Sequence, residues 1–374
     1  MSTNFPLATS PNLHITHPTP TEQQKIWTAN FSAWAGPLNL SQYLERETYL
    51  TTIPLTKNGG ITHWILTDST LQPDSRPILA SCESLRKKGF VKRKEGALTE
   101  VVGHGIGSVF CPVEGRGRGY AGRMMELLGE ELKRFDGEKG AFSVLWSDIG
   151  PKFYARYGWD VYKSEHVSFP PGDNLEVSKA KTLEDKDLQA LCESDVQLLR
   201  ASMDKKEEQK IAMAILPDWE HMLWHHLRED FLCNKLYGEI SNVKGAIVGE
   251  PGRRTWAIWT RSFYGPVGVE KSGNTLHILR LVMEGEETEH EGDLTRRAEQ
   301  LQNIIRVAQA EAKKWKLNCV ELWNPSVYVQ KLIDDMNIEH SKVKRDSESI
   351  ASLKWFRDEK EQVEWIGNEK YGWC

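Results

Sequence analysis

The sequence predicts an α/β (α+β) fold divided into two domains, and three observations support this prediction. The chain has 374 residues, which is long for one hydrophobic core and sufficient for two. Strand-like runs alternate with amphipathic helices along most of the chain. The order strand, long helix, strand, short helix, strand occurs twice, on either side of the linker signal Pro170-Pro171-Gly172-Asp173. We therefore expect one domain over residues 1–172 and a second, of repeated architecture, over 173–374.

Composition and charge restrict the class of protein. Hydrophobic residues make up 39% and charged residues 27% of the chain, as in an ordinary soluble globular protein. The net charge of −5 gives no reason to expect a nucleic acid or an anionic membrane as a partner. The six cysteines include no Cys-x-x-Cys pair, and the first twenty residues carry no targeting signal. We expect free thiols, a cytoplasmic location and no transmembrane segment, while the oligomeric state is left open.

The first hundred residues predict strands and helices in alternation. Residues 13–16 alternate like a short strand, and Thr19, Pro20 and Glu22 provide the cap, first-turn proline and capping-box acid of a helix that ends near 34. The pattern then predicts a helix over 40–50 and strands over 61–68 and 78–86. We expect the charged segment 87–99 to be a surface loop.

The stretch from residue 101 to residue 135 is the most informative. An apolar run over 101–111 is interrupted by Gly103, Gly105 and Gly107, which predicts a bulge or the close approach of another backbone. A turn rich in glycine and arginine follows, and an amphipathic helix is predicted over 119–135. This layout holds an anion, typically a phosphate, against the free N–H groups at the start of a helix.

Several interpretations of this turn compete. Residues 117–122 match the dinucleotide pattern G-x-G-x-x-G, but residues 112–115 separate them from the strand and no βαβ unit precedes them. Three arginines also supply more positive charge than a pyrophosphate on a helix terminus ordinarily needs, namely Arg116, Arg118 and Arg123. No P-loop run G-x-x-x-x-G-K-[ST] is present. An ordinary basic strand–helix turn is the plainest alternative.

The rest of the chain continues the alternation of strands and helices. The pattern predicts a buried strand over 141–146, a helical turn over 152–157 and strands over 159–162 and 166–169. The second half predicts, in order, helices 183–203 and 217–233, strands 236–240, 244–248, 254–262 and 276–283, helix 293–316, strand 319–323, helix 326–336 and strands to 356. The acidic segment 284–291, before the second long helix, would repel a phosphate. We therefore expect the second half not to bind the same cofactor.

Two motifs in the correct order and spacing resemble those of a known superfamily. Residues 116–121 have the pattern Arg-x-x-Gly-x-Ala, which resembles the R/Q-x-x-G-x-G/A loop of acetyl-CoA-dependent GNAT acyltransferases. Residues 153–159 resemble their F-Y-x-x-x-G-F/W segment. The wider sequence is similar to fungal lysine N6-acetyltransferases of lysine catabolism, through segments 143–150, 215–218, 224–225 and 365–374.

This resemblance implies a fold and a reaction. The fold would be a GNAT acyltransferase fold with a mixed central sheet, followed by a second GNAT-like domain that lacks the pyrophosphate loop and contributes to the substrate site. The reaction would be acetyl transfer from acetyl-CoA to the ε-amine of free L-lysine, which gives N6-acetyl-L-lysine. Another small amine (a polyamine, an antibiotic or a toxin amine) is an alternative acceptor, and a non-catalytic acetyl-CoA sensor is an alternative function.

The resemblance also implies roles for individual residues. Tyr154 matches the tyrosine that protonates the departing CoA thiolate, and Ser147 occupies a strand-end position that often contacts CoA. Backbone groups of the strand before the loop would hold the pantetheine and the thioester carbonyl, through Val109, Phe110 and Cys111. The other CoA-binding positions implied are Arg116, Gly117, Arg118, Gly119, Tyr120, Ala121, Gly122 and Phe153.

The sequence leaves open the general base that deprotonates the amine. Protein-lysine acetyltransferases of the superfamily carry a glutamate where this chain has Gly107 or Ser108. Glu83 and His104 are the candidates among the nearby side chains. Resemblance to tandem-GNAT aminoglycoside acetyltransferases adds a third candidate, a C-terminal carboxylate, here that of Cys374.

Other reactive side chains have plainer interpretations. His221 and His225 lie one helical turn apart, but they lack the glutamate of H-E-x-x-H and a third ligand, so no metal is expected. Cys111 is interpreted as a packed strand thiol rather than an acyl carrier. Free lysine carries a carboxylate and two ammonium groups, so its site needs a cation and an acid, for which the candidates are Arg280, Glu83 and Asp148.

Overall fold

A computed structural model describes residues 5–93, 96–135, 140–173, 178–205, 210–285, 290–356 and 362–373. These residues form sixteen strands and eight helices. The strands are β1 (Leu13–Thr16), β2 (Ile61–Asp68), β3 (Ala80–Lys92), β4 (Thr99–Phe110), β5 (Gly140–Ser147), β6 (Asp160–Val161), β7 (Glu165–Phe169), β8 (Lys181–Leu183), β9 (Ile211–Ile215), β10 (Gly245–Val248), β11 (Thr255–Ser262), β12 (Thr275–Met283), β13 (Cys319–Trp323), β14 (Ser341–Lys344), β15 (Ile350–Trp355) and β16 (Val363–Ile366). The helices are α1 (Pro20–Trp34), α2 (Leu40–Leu50), α3 (Tyr120–Phe135), α4 (Lys152–Ala155), α5 (Asp185–Asp204), α6 (Trp219–Tyr237), α7 (Glu291–Lys314) and α8 (Val327–Asp335). None of these helices is long and apolar enough to cross a membrane.

The strands form two mixed sheets of related architecture. The first has the order β1-β2-β3-β4-β5-β15-β6, with β9 on β3 and β16 on β9, and the second has the order β14-β7-β13-β12-β11-β10-β8. Each sheet contains a parallel pair joined by a long helix: β4 and β5 through α3, and β12 and β13 through α7. The predicted mixed α/β fold with a second copy of its architecture is confirmed.

The two halves of the chain share their sheets. The strands β9, β15 and β16 follow residue 172 but pair in the first sheet, whereas β7 precedes it and pairs in the second. The strand β15 lies antiparallel beside β5, with Ile350 opposite Ser147. The division into domains at residue 172 stays a prediction.

Some element boundaries differ from the predictions. The predicted surface loop over 87–99 is wrong, because β3 continues to Lys92 and β4 begins at Thr99. As a charged residue, Lys87 indicated an exposed position, but its side chain is fully buried. Gly105 of β4 leaves room for this side chain, because a Cβ at Gly105 would overlap it. The predicted strand over 236–240 is also wrong, because α6 continues to Tyr237, and the strands β9 and β16 were not predicted.

The two faces of the first sheet have different coverings. On one face, α3 packs its apolar side chains, including Met125 and Leu128, against Ile106 and Leu145 of the central strands. On the opposite face, Leu85 of β3 belongs to a cluster with side chains of α2 and of α6. Since α6 belongs to the second half of the chain, both halves enclose this second face.

Candidate functional site

A groove opens in the first sheet where β4 and β5 diverge. Their parallel pairing ends at Ile106 and Leu145. On the other side of β4, residues 81–83 of β3 face residues 107–110, which leaves one extra residue on β4. Ser108 lies in this bulge with φ 53°, in the left-handed region. A bulge bends its strand, so it turns the end of β4 away from β5. The bulge predicted from the glycines of this run is present.

The turn after β4 forms an anion cradle at the start of α3. The first helical hydrogen bond runs from the Arg123 N–H to the Gly119 carbonyl (3.0 Å), so the N–H groups of residues 120–122 precede it and have no intrahelical acceptor. Gly117 and Gly119 have φ of 75° and 87°, a conformation that favours glycine. Free N–H groups, together with the helix dipole, favour a phosphate here.

Two arginines extend from the cradle. The Arg116 Nε donates a hydrogen bond to the Cys111 carbonyl (3.2 Å), and its guanidinium lies 5.6 Å from the centre of the Phe110 ring. The Arg118 guanidinium lies 5.1 Å from the centre of the Phe5 ring. Both side chains are exposed, so their charges face the solvent beside the cradle.

Two positions of the predicted loop offer only backbone groups to a ligand. Tyr120 is buried, and its hydroxyl donates a hydrogen bond to the Pro6 carbonyl. A Cβ on Gly122 would overlap the Tyr157 hydroxyl. Packing around these two residues therefore holds the backbone of the first helical turn in place.

The end of β4 lines a cavity beside the groove. Phe110 and Pro112 contact a space of about 260 Å³ that α1 also lines. The Cys111 thiol donates a hydrogen bond to the Leu79 carbonyl (3.3 Å), and burial raises its pKa. This thiol is therefore packed and protonated at neutral pH, which agrees with its interpretation as a strand thiol.

The short helix α4 places Tyr154 in the core beneath the groove. Tyr154 belongs to the same apolar cluster as Cys82 and Leu145, and 8% of it is exposed. Burial raises the pKa of its hydroxyl, with smaller contributions from Cys82 and Asp148. A phenol in this state keeps its proton at neutral pH, as a proton donor to a thiolate must.

Phe153 and Ser147 shape the surroundings of Tyr154. The Phe153 ring lies edge-on to Tyr154, with the ring centres 4.9 Å apart. The Ser147 hydroxyl donates to the Gly150 carbonyl (2.7 Å) and accepts from the Ile149 N–H (3.2 Å), so it holds the turn that follows β5. Contacts of Phe153 and Ser147 with CoA stay predictions.

Glu83 lies on β3, opposite the bulge. The Ser108 hydroxyl donates a hydrogen bond to Glu83 Oε1 (2.9 Å), and His63 is the direct cross-strand neighbour of Glu83. These side chains line a narrow cavity of about 10 Å³ together with Trp27 and Glu47. Burial, and next the charge of Glu47, raise the pKa of Glu83 to about 7. A carboxyl with this pKa is suited to accept a proton near neutral pH.

The other two candidates for the base have different positions. His104 pairs with Arg86 on β3, three residues further along than Glu83. Because side chains alternate along a strand, His104 lies on the opposite face of the sheet from Glu83. Cys374 lies outside the described residues. Of the three candidates, the described structure brings Glu83 to the bulge.

The end of the chain packs against α6. The Trp373 ring stacks on His225, with the ring centres 6.3 Å apart. The Lys370 Nζ lies 3.8 Å from the centre of the Trp373 ring and 4.2 Å from that of Trp323. Burial lowers the pKa of Lys370 to about 7. The buried Lys370 amine therefore lies between the ring of Trp373 in the tail and the ring of Trp323 on β13.

Other side chains singled out in the sequence have partners within the protein. Arg280 pairs with Asp195 (Nε–Oδ2, 2.7 Å) and with Glu369, so its charge is already neutralised. His221 pairs with Asp218 (2.8 Å), while the ring of His225 contacts the Tyr371 carbonyl (3.2 Å). No group of three or more His, Cys, Asp or Glu side chains that could hold a metal lies among the described residues.

The sequence analysis missed a charged region where α2 meets α6. Arg46 is buried on the core-facing side of α2 and donates hydrogen bonds to Glu47 (2.7 and 2.9 Å) and to the Trp34 carbonyl. Arg228 lies on α6, and its charge acts together with those of Arg46 and Glu47. The signal was present, because Arg46 falls at helical spacing between the apolar positions Tyr43 and Leu50.

Comparisons with known proteins agree with this geometry. The family model described as the LYC1 GNAT-like C-terminal domain matches residues 166–374, more than half of the chain. A lysine acetyltransferase of Yarrowia lipolytica is 24% identical and aligns over 93% of this chain and 96% of its own length. An uncharacterized protein of Saccharomyces cerevisiae is also 24% identical, over 93% and 95% of the two chains.

Solved structures show the same fold at low identity. A GCN5-related N-acetyltransferase from Anabaena variabilis has a TM-score of 0.53 at 13% identity, over 92% of this chain and 73% of that one. N-myristoyltransferase of Saccharomyces cerevisiae with bound myristoyl-CoA has a TM-score of 0.53 at 8% identity, over 94% and 80%. The fold and the family match together establish that the chain belongs to the LYC1 family of GNAT N-acetyltransferases.

Proposed function

We propose that the protein transfers an acetyl group from acetyl-CoA to the ε-amine of free L-lysine, as a step in lysine catabolism. The observation that carries this proposal is the position of Glu83, a carboxyl with a pKa near 7 opposite the bulge that opens the CoA groove. The name of the Yarrowia lipolytica relative, a lysine acetyltransferase, supports lysine as the acceptor.

In the proposed complex, acetyl-CoA lies along the groove between β4 and β5. The pyrophosphate would accept hydrogen bonds from the backbone N–H groups of residues 120–122, with Arg116 and Arg118 beside it. The pantetheine would follow the backbone of residues 109–111. This arrangement would bring the thioester to the bulge, within reach of the cavity that contains Glu83.

The proposed reaction needs a base on one side of the thioester and an acid on the other. Glu83 would accept a proton from the lysine ε-ammonium, and the free amine nitrogen would attack the thioester carbonyl carbon. The C–N bond would form, the nitrogen would release its second proton to water, and the C–S bond would break. Tyr154 lies on the opposite face of the sheet and would give its proton to the departing CoA thiolate.

A thiol-release assay tests the proposal. The protein is mixed with acetyl-CoA and with L-lysine, cadaverine, spermidine or a lysine-containing peptide, and the acetylated nitrogen is identified by NMR. We expect the highest kcat/KM with L-lysine and acetylation at N6. A higher kcat/KM with a polyamine would mean that the acceptor is a polyamine and not lysine. Tight acetyl-CoA binding without thiol release for any amine would favour the alternative function as an acetyl-CoA sensor.

A further inference from the structure

Arg228 is a positively charged side chain of α6 without a carboxylate partner among the described residues. It lies half-buried on α6, and it has no hydrogen-bond or ion-pair partner in the part of the chain that the structure describes. A buried or half-buried arginine is costly when its charge is unpaired. Burial, and next the positive charge of Arg46, lower the pKa of Arg228 to about 10. The protein therefore keeps a charge at this place at a cost to its stability.

The face of α6 that carries Arg228 packs against α2 and β3. Trp224 lies one helical turn before Arg228 on α6, so the two share a face, and Trp224 contacts Trp373 of the returning tail (ring centres 6.3 Å apart). Leu50 of α2 and Leu85 of β3 belong to the same apolar cluster as Trp224.

Where α2 meets α6, one of the positive charges has no ion-pair partner within the described ranges. Arg46 and Glu47 form a salt bridge of 2.7 Å, so the positive charge of Arg46 is neutralised by its neighbour. Arg228 adds a second positive charge at the same place. Arg280 shows the contrast, because two carboxylates neutralise its charge.

Helix α2 connects the two charged groups. Arg228 lies on the face of α6 that contacts α2, because Phe231 stacks on Tyr49 (ring centres 5.8 Å apart) and Lys235 pairs with Glu45. Glu47 of α2 in turn lines the cavity of Glu83. Glu83 would face the amine that reacts, and Arg228 would face the other end of a short substrate. A free amino acid that carries a side-chain amine has this distribution of charge, whereas a polyamine has a second cation where the carboxylate would be.

We propose that Arg228 binds the α-carboxylate of the acceptor and so selects a free amino acid over a polyamine or an amide. The guanidinium offers two parallel N–H donors, which match a carboxylate in a bidentate arrangement. This inference rests on the proposed acetylation of lysine and adds the residue that recognises the end of the substrate opposite the reacting amine.

The test compares L-lysine with L-lysinamide in the wild type and in Arg228→Met. L-lysinamide differs from lysine in lacking the carboxylate charge. A hydrogen-bonded contact between charged groups corresponds to about a 10- to 150-fold effect, so kcat/KM for L-lysine should fall by about this factor, mainly through KM. The kcat/KM for L-lysinamide should change less than about threefold. Arg228→Lys should give an intermediate loss for L-lysine, because it keeps the charge without the fork.

Lys235→Met is the matched control. Lys235 lies on the same helix, where it pairs with Glu45 (2.8 Å), so this variant also removes a positive charge from α6. Its ratio of kcat/KM for lysine over lysinamide should equal that of the wild type. An unchanged ratio in Arg228→Met, or an equal loss for both substrates, would overturn the inference.

A binding measurement separates this inference from the proposed function. Calorimetry with CoA present measures the affinity for L-lysine without turnover, and thermal unfolding verifies that Arg228→Met is folded. Absence of lysine acetylation by the wild type would refute the proposed function. Lysine binding that is equal in wild type and Arg228→Met would refute the carboxylate site by itself.

Discussion

The hydrogen bond between Ser108 and Glu83 gives a quantitative prediction for the pH dependence of the reaction. Ser108→Ala removes a donor that lies 2.9 Å from Glu83 Oε1 and that stabilises the ionised carboxylate. The substitution keeps a Cβ at a residue with φ 53°, so it leaves the backbone conformation of the bulge unchanged. Its effect should therefore be confined to the proton affinity of Glu83.

The size of the effect follows from the energy of that hydrogen bond. A hydrogen bond to a charged group contributes about 1.5–3 kcal/mol, and 1.36 kcal/mol corresponds to one pKa unit, so the pKa of Glu83 should rise by about 1–2. The wild-type pKa is about 7, since burial and next the charge of Glu47 raise it. In Ser108→Ala the base would be ionised only at distinctly higher pH.

The assay is kcat/KM for L-lysine measured from pH 5.5 to 9.5 at saturating acetyl-CoA. In the wild type, kcat/KM should rise with pH and level off above about 7, because the ionised form of Glu83 is the active one. In Ser108→Ala this rise should move by about 1–2 pH units to higher pH, with a similar plateau. Glu83→Gln should remove the rise and lower kcat by about 10²–10⁴-fold. A rise that stays in place in Ser108→Ala, or persists in Glu83→Gln, would refute the assignment of Glu83 as the base.

Three further predictions concern stability and cofactor binding. Glu83→Gln should raise the free energy of unfolding at pH 8 by up to about 3 kcal/mol. The folded-state pKa of Glu83 is about 7 and exceeds the ordinary 4.5, so the wild-type protein loses stability as the pH rises between these values. Urea denaturation at pH 8 and at pH 4, where the difference should vanish, measures this. Arg116→Ala combined with Arg118→Ala should raise KM for acetyl-CoA about tenfold or more with little change in Tm, since both side chains are exposed, and the effect should shrink with added salt. Arg280→Met should lower the free energy of unfolding by about 3–5 kcal/mol, because it leaves Asp195 and Glu369 without their cation, and chemical denaturation measures the loss.

The cofactor side of the site could be predicted because its signals are local. Strand β4, the turn and α3 lie within residues 99–135, and α3 begins one residue after the predicted start. The free N–H groups, the glycines with positive φ and the flanking arginines are all neighbours in sequence. A single strand–turn–helix unit therefore contains the chemistry that recognises an anion.

The acceptor side could be predicted only in part, because it depends on contacts between distant residues. Glu83 was one of three candidates for the base, and the pairing of β3 with β4 places it opposite Ser108, 25 residues away in sequence. Arg280 was a candidate for a substrate contact, and two distant carboxylates occupy it. Whether an arginine has a partner is decided by tertiary packing, which no local pattern records.

Two errors in the fold have the same origin. Lys87 indicated a loop, but its long stem is accommodated over Gly105 of the neighbouring strand, so a charged residue sits inside the sheet. Residues 236–240 indicated a strand, but α6 extends to Tyr237 and ends at Gly238, whose φ of 72° supplies the left-handed cap. In each case, packing or capping a few residues away outweighed the local hydrophobic pattern.

Because the two halves share their sheets, the second half can contribute residues to the site without a cofactor site of its own. Strand β15 lies beside β5, which borders the groove, and β9 pairs with the far end of β3, which carries Glu83. Strands of the second half are therefore hydrogen-bonded to both of these strands. Strand β9 leads into α6, and Trp224 of α6 packs in one apolar cluster with Leu85 of β3, two residues from Glu83. The acidic segment before α7 is predicted to repel a phosphate, and its residues 286–289 lie outside the described part of the chain. In the proposed enzyme, one copy of the fold thus binds the acetyl donor, and the other copy supplies the cation that selects the acceptor.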